Sequence, residues 1–431
     1  MILLRKQSPV FERVIGRYKA RSGVHYLPSV FCLKLETDEG TLLYNTLTDE
    51  MIIADEEEDC EELVARRFLV SADMDEMKLV DDCRKLERAL GSANQRKGIK
   101  NAVILTTTGC NARCFYCFEK GCKALTMDEK TADATADYIA RHRNTEENFH
   151  INWFGGEPLL NTQAMDRISQ KLKECGIPFH SDLITNGYLL NEENILKATE
   201  YWNVKSAQIT LDGMAETYNK IKAYLYINDS NPFETVLRNI AAIAQSGIQV
   251  DIRMNLSLEN GEELEGLIAL LQEHFGGNRL IHPYVRILYQ QSSVDALRQK
   301  KKQLKDKIQL YFPEIRKKRS PLVKFSACGA DSGTSFVIMP DGKLLCCEHF
   351  TERPEAVGSI FSEKINDEIV QWWKEPRAWE ENCKTCFYAP KCYKLAHCPE
   401  SGNCHPNDLE DMREDIIRFM REVYEEWRST K

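Results

Sequence analysis

The chain has 431 residues, 43% hydrophobic and 29% charged, a mixture that excludes a mainly disordered or collagen-like protein. Its 57 basic and 66 acidic residues leave a net charge of −9, so no basic excess advertises a nucleic-acid surface. No apolar run approaches the ~20 residues of a membrane span, and Met1–Pro9 places its charges after a short apolar stretch, the wrong order for a secretory signal. The expected location is cytoplasmic, with no nucleic-acid and no membrane partner.

Residues 1–95 read as a small α+β unit. Ser29–Glu36 and Gly40–Asn45 alternate as two strands around Thr37-Asp38-Glu39-Gly40. The acidic run Asp55–Glu62 reads as a solvated face, and Met74–Leu90 repeats Leu79, Cys83, Leu86 and Leu90 at helical spacing. Gly91–Lys97 reads as a linker. Over 96–320 strands alternate with helices. Strands are expected at Ala102–Thr107, His150–Phe154, Ser181–Thr185, Ala207–Leu211, Val250–Leu256 and Leu280–Leu288. Helices are expected at Asp128–His142, Thr162–Cys175, Glu192–Thr199, Phe233–Ser246 and Glu262–His274, with a charged helical connector over Ser293–Lys318. Such alternation makes an α/β fold with a parallel sheet, open or curled into a barrel, whose chemistry gathers at the C-terminal strand ends. Residues 321–405 are loop-heavy, with one hairpin at Pro340-Asp341-Gly342. In 406–431, Leu409, Met412, Ile416, Phe419, Met420 and Val423 mark one amphipathic helix.

Cysteine stands out in this inventory. There are 16, too many for a reducing compartment unless they serve metal or redox chemistry. Cys32, Cys60, Cys83, Cys122 and Cys175 are scattered and read as ordinary core or surface thiols. Cys110, Cys114 and Cys117 follow directly on the first strand of the alternating region. A structural zinc site wants four ligands. An iron–sulfur cubane held by three thiolates keeps one iron open, where a ligand's amino and carboxylate groups can chelate and take an electron.

The CxxxCxxC spacing, with Tyr116 before its last cysteine, resembles the radical S-adenosylmethionine superfamily. That resemblance implies a partial (β/α)6 TIM-like barrel and a [4Fe-4S] cluster on Cys110, Cys114 and Cys117. Gly155-Gly156-Glu157-Pro158 resembles the family's GGEP motif, which binds the methionine amino group of S-adenosyl-L-methionine. Thr185 and Asn186 resemble its ribose-contacting segment. Gln208, Thr210 and Asp212 match the fourth strand of peptide- and protein-modifying members, and Arg253 and Asn255 the fifth. Where relatives carry an HDxxxR-like stretch, this chain has Tyr218-Asn219-Lys220-Ile221-Lys222. Lys222 stands in for the arginine as a point charge rather than a planar fork.

Cys328, Gly342 and Cys347, followed by Cys383-x2-Cys386-x5-Cys392, Cys398 and Cys404, resemble the SPASM extension, which holds two auxiliary [4Fe-4S] clusters. Cys398 lies six residues after Cys392, where relatives usually have four. The resemblance assigns Cys383, Cys386, Cys392 and Cys404 to a distal cluster. It leaves Cys328, Cys347 and Cys398 for a proximal one, with Cys346 the spare. Adjacent strand residues point to opposite faces, so Cys346 and Cys347 are not expected to share a cluster, and an open proximal iron is expected. Glu348 occupies the place where sulfatase-maturing relatives keep a catalytic proton acceptor. The implied enzyme is an oxidoreductase that cleaves S-adenosylmethionine to a 5′-deoxyadenosyl radical and takes hydrogen from a precursor peptide, forming a thioether. Its expected partners are that peptide, whose leader would pair with the N-terminal unit, and a reductant such as flavodoxin or ferredoxin. A sulfatase-type protein-modifying enzyme is one alternative. A non-enzymatic electron carrier or zinc module is another.

Overall fold

The computed structural model describes residues 1–6, 19–54, 60–95, 97–225, 229–292, 294–313, 315, 328–362, 364–392, 395–399 and 406–431. They fall into two compact units, one of Met1–Ala93 with Glu375–Lys431 and one of Asn94–Arg316 with Cys328–Lys374. The sequence division follows the chain, keeping 1–95 apart and 321–405 whole. The compact units interleave, because contacts and not chain order decide which residues share a core. The cysteine-rich region is divided between them at residue 374.

In the first unit, β1 (Ile2–Arg5), β3 (Cys32–Thr37), β4 (Gly40–Asn45) and β5 (Glu50–Ala54) form an antiparallel sheet in the order β1-β5-β4-β3. A two-stranded pair joins β2 (Tyr26–Pro28) to β6 (Leu69–Ser71), and two helices follow, α1 (Cys60–Ala65) and α2 (Glu76–Gln95). Helix α2 runs through most of the stretch expected as a linker. Strand β3 starts three residues later than expected, because Ser29 is engaged elsewhere: its hydroxyl donates to Glu76 Oε1 at 2.5 Å and its N–H to Phe68 O at 3.0 Å. Strand β5 is buried throughout and therefore lacks the alternation that reveals a strand in sequence. Leu33, Leu42, Tyr44, Met51 and Ile53 share a core with Ile416, Phe419, Met420 and Tyr424 of the C-terminal helix Pro406–Ser429. Each such side chain withdrawn from water contributes about 1.5–3 kcal/mol, which is what binds the two chain ends into one body.

The second unit carries six parallel strands in sequential order, β7 (Asn101–Thr107), β8 (Phe149–Gly155), β9 (Phe179–Thr185), β10 (Val204–Thr210), β11 (Gln249–Leu256) and β12 (Ile281–Ile287). Between them run α3 (Glu129–His142), α4 (Thr162–Glu174), α5 (Glu192–Glu200), α6 (Ala215–Lys222), α7 (Pro232–Gln245) and α8 (Glu263–Phe275), and α9 (Asp295–Tyr311) follows β12. Phe149, Ile151 and Trp153 of β8 are buried in the core with Ile139, Met165 and Ile168 of the neighbouring helices, while the alternate residues His150, Asn152 and Phe154 are half-buried. β13 (Ser335–Ile338) pairs in parallel with β7, and β14 (Lys343–Leu345) and β15 (Gly358–Ser359) continue the sheet beyond it. The hairpin expected at Pro340–Gly342 thus extends the barrel sheet.

Candidate active site

Strand β7 ends at Thr107 and leads into the loop of Cys110, Cys114 and Cys117. The loop is stitched to the end of α6 from both sides: Arg113 N–H donates to Lys222 O at 2.7 Å, and Leu225 N–H to Asn111 O at 2.8 Å. The end of β8 lies against the same loop. Gly155 has φ +124°, and a Cβ there would fall 2.2 Å from Thr107 O; one on Gly156 would fall 2.3 Å from Gly109 O. Only glycine permits this approach.

Glu157 is fully buried. Its Oε1 accepts from the Thr185 hydroxyl at 2.7 Å and Leu159 N–H at 3.2 Å, and its Oε2 from Asn186 N–H at 2.8 Å. Burial pushes the carboxyl up to about 7 against the opposing pull of those donors. The carboxylate thereby joins the ends of β8 and β9, and Pro158 opens a 3₁₀ turn behind it. Asn186 Nδ2 in turn donates to Asn111 Oδ1 at 2.7 Å.

Across the site, Tyr116, Asp212 and Lys222 form a buried triad. The Tyr116 hydroxyl donates to Asp212 Oδ2 at 2.5 Å, and Lys222 Nζ lies 3.1 Å from the same oxygen and 3.3 Å from the tyrosine oxygen. The Asp212 side chain is 0% exposed and that of Lys222 3%. Asn255 N–H donates to Asp212 Oδ1 at 3.2 Å, and Asn260 Nδ2 to Asp212 O at 2.7 Å. Burial pulls the Lys222 ammonium down, but the Asp212 carboxylate and then Tyr116 more than offset it, so its pKa rises. Lys222, expected to stand in for a cofactor-binding arginine, spends its charge on Asp212. The other expected residues lie nearby on the strands. Gln208 Oε1 accepts from the Tyr284 hydroxyl at 2.6 Å, Arg253 Nε donates to Asn255 Oδ1 at 2.9 Å, and Thr210 is half-buried at the end of β10.

Phe118, next to Cys117, stacks on His349 with ring centroids 4.8 Å apart, and Phe154 and Phe350 complete the cluster. The segment bearing Glu348, itself exposed, is thereby held beside the first cysteine loop. The expectation that Cys346 and Cys347 sit on a strand is corrected. β14 pairs with β15 only at Lys343 and Leu344 and ends at Leu345, so strand alternation no longer separates the two cysteines, and both are buried in one core. Burial pushes the Cys346 thiol up to about 12, Lys374 lowers it and Cys328 adds to the rise, so Cys328 is within electrostatic reach of Cys346. Cys328 Sγ accepts from Ala330 N–H at 3.4 Å and Cys347 Sγ from His349 N–H at 3.5 Å.

In the other unit, Cys383, Cys386 and Cys392 follow consecutive tight turns. Cys386 N–H donates to Cys383 O at 3.1 Å, Ala389 N–H to Cys386 O at 3.1 Å, and Cys392 N–H to Ala389 O at 3.2 Å. Three-residue turns bring positions i and i+3 to one side, which gives the C-x2-C-x5-C spacing a structural basis. Cys398 is half-buried in this unit. Cys404 lies outside the described residues.

Several residues of the site went unread in the sequence. Asn111 had the signal of lying inside the cysteine motif. Asn260 and the Tyr218–Tyr224 hydroxyl pair, 2.9 Å apart, are brought in only by the fold. Glu119, 8% exposed, has its carboxyl pushed up to about 7 by burial.

Do these residues fit a cluster and its cofactor? Among the described residues no three Cys, His, Asp or Glu side chains converge on one ion. A cubane, however, distributes its thiolates over separate irons, so convergence on a point is not the criterion. Burial pushes the Cys110 thiol up to about 12 and that of Cys117 to about 11, so a cationic centre is what would make thiolates of them. Asn111 Nδ2 is buried without a hydrogen-bond partner among the described residues. Three thiols on one strand-end loop and an unsatisfied amide donor beside them fit an iron–sulfur cluster with a polar ligand.

Residues 104–271 match the Radical SAM superfamily. The chain is 31% identical over 121 residues to the uncharacterized protein MJ0907 of Methanocaldococcus jannaschii, covering 27% of this chain and 40% of that relative. It thus spans less than half the length of that relative. Among solved structures it resembles Streptococcus suis SuiB bound to precursor peptide SuiA, with TM-score 0.51, 14% identity, and 86% of this chain and 95% of that one covered. It also resembles native anSMEcpe with bound AdoMet and the Cp18Cys peptide, with TM-score 0.56, 16% identity, and coverage of 75% and 99%. The cysteine loop and the strand-end motifs around it belong to a radical S-adenosylmethionine domain.

Proposed function

We propose that this chain is a radical S-adenosylmethionine/SPASM peptide maturase. The observation that carries the reading is the joining of a three-cysteine loop to the ends of β8 and β9 and to Asp212 just after β10, with the Glu348 segment held against it by the Phe118–His349 stack. When bound, the cofactor and the reduced cluster supply a 5′-deoxyadenosyl radical able to take a hydrogen atom from a substrate residue. Asn111 Nδ2 offers the cofactor a hydrogen bond, and Gly155 and Gly156 let the end of β8 pack against the cysteine loop. The Tyr116–Asp212–Lys222 triad holds the cysteine loop in place. Glu348 takes the proton released from the substrate, and Cys328, Cys347, Cys383, Cys386, Cys392, Cys398 and Cys404 serve auxiliary clusters, which would accept the remaining electron. The likeness to SuiB, which was crystallised with a precursor peptide, extends over more of this chain than the likeness to anSMEcpe and supports a peptide substrate. In the N-terminal sheet β3 stands at an edge among the described residues, where a leader segment could add a strand.

The test is anaerobic reconstitution, followed by dithionite and S-adenosylmethionine with a cysteine-containing precursor peptide. The expected products are 5′-deoxyadenosine and a peptide lighter by two hydrogen atoms, the mass change a thioether requires. Deoxyadenosine with a peptide unchanged in both mass and residue stereochemistry would refute the maturase assignment. No deoxyadenosine from protein of full iron content would refute the radical one.

A further inference from the structure

The cysteine segment 383–392 packs on the N-terminal residues of the same unit and, through Phe387, on its C-terminal helix. Arg84 on α2 donates from Nη2 to Ala389 O at 3.1 Å and also to Cys392 O. These are two carbonyls of the turn that ends at Cys392. The Arg84 guanidinium lies over the Trp379 ring at 4.2 Å, and Trp379 Nε1 donates to Asp81 Oδ1 at 2.8 Å, one helical turn before Arg84. The Thr46 hydroxyl donates to Phe387 O at 2.6 Å. Ala389 is fully buried with Phe31, Leu47, Val80 and Cys83, and Cys386 packs against the same cluster. Lys391, 2% exposed, has its ammonium 3.9 Å from Asp49, whose carboxylate also accepts from the Tyr44 hydroxyl at 2.7 Å and pairs with Arg5.

We infer that the N-terminal domain is the seat of the distal auxiliary cluster, with Arg84 the positioning residue that fixes the Cys383–Cys392 turns. The inference rests on the SPASM reading of those cysteines. A segment of consecutive three-residue turns has few hydrogen bonds of its own and is poorly held without partners. A planar guanidinium with five donors can hold two carbonyls at once while stacking on an indole; a lysine ammonium lacks the planar face that stacks. The hydrogen bonds of Arg84 Nη2 go to backbone carbonyls. Arg84 acts through the backbone between Ala389 and Cys392. The N-terminal domain therefore serves cluster assembly whether or not it also binds a leader, and removing it would strip the segment of this support.

The test uses the full chain, reconstituted anaerobically, as wild type, Arg84→Ala and Arg84→Lys. Iron and sulfide per chain and hydrogen exchange of the 380–392 peptide are read together. Arg84→Ala should lose about four irons, one cubane's worth, and the peptide should exchange at least tenfold faster. Arg84→Lys should fall closer to alanine than to wild type. Retention of S-adenosylmethionine binding and of the first cluster's EPR signal shows that the variant is folded. If Arg84→Ala does not fold, Asp81→Ala, which removes the Trp379 acceptor, is read in the same way. Full iron content in the variant would overturn the inference, whatever the exchange rate. A wild type that holds only about four irons would instead overturn the SPASM reading itself.

Discussion

Replacing Lys222 with methionine tests the buried triad directly. The substitution keeps most of the side chain's volume and removes the ammonium 3.1 Å from Asp212 Oδ2. Asp212 is then a fully buried carboxylate left, among the described residues, with the Tyr116 hydroxyl and the Asn255 N–H as donors. Removing one partner of a buried ion pair costs about 3–5 kcal/mol, mostly because the other charge is stranded. For a domain of this size that corresponds to a fall in Tm of roughly 5–9 °C. Replacing both residues, as Lys222→Met with Asp212→Asn, should recover more than half of the loss, since no uncompensated charge then remains. Urea unfolding of the cluster-free protein, with the two single variants and the double variant, measures the cycle. A loss below about 1 kcal/mol for Lys222→Met, the range of exposed pairs, or a double variant no more stable than Lys222→Met, would refute the reasoning.

Three further outcomes follow from the same geometry. Alanine at Cys110, Cys114 or Cys117 should remove about four irons and abolish deoxyadenosine formation, while the auxiliary irons remain; product formation by any of the three would remove the cluster from this loop. Glu157, buried with its carboxyl pushed up to about 7, binds a proton more readily folded than unfolded. Its contribution, up to about 3 kcal/mol, is therefore full below pH ~4.5 and is lost as pH rises through 7. Glu157→Gln should flatten the fall in stability between pH 5.5 and 8.5, and parallel curves for variant and wild type would contradict this. Glu348→Gln should leave uncoupled deoxyadenosine formation intact and slow peptide modification at least tenfold, the lower range of general-base contributions, as followed by peptide mass against time.

The barrel could be read from the chain because its information is local. Each of β7 to β12 carries a run of strand-forming residues, each helix between them a periodic apolar face, and the expected boundaries fall within a few residues of the observed ones. The cysteine loop and the Gly155–Pro158 turn were also legible, since chemistry at close quarters demands particular residue types at fixed spacing. Residues joined across large separations were not. Nothing in Tyr116, Asp212 or Lys222 alone announces a shared buried charge; the triad exists because β10 and α6 converge on the cysteine loop. Helix α6 itself was missed: it is only eight residues long, and neither its N-cap Met214 nor its C-cap Ala223 is a typical capping residue. The parallel pairing of β13 with β7, the end of β14 before Cys346, and the seating of Cys386 and Ala389 on the N-terminal core all depend on which distant apolar surfaces find each other. Spacing along the chain thus determined what chemistry the cysteines could do. Only burial among distant partners decided which residues hold them in place, because a hydrogen bond or an apolar contact takes its strength from the environment that folding creates.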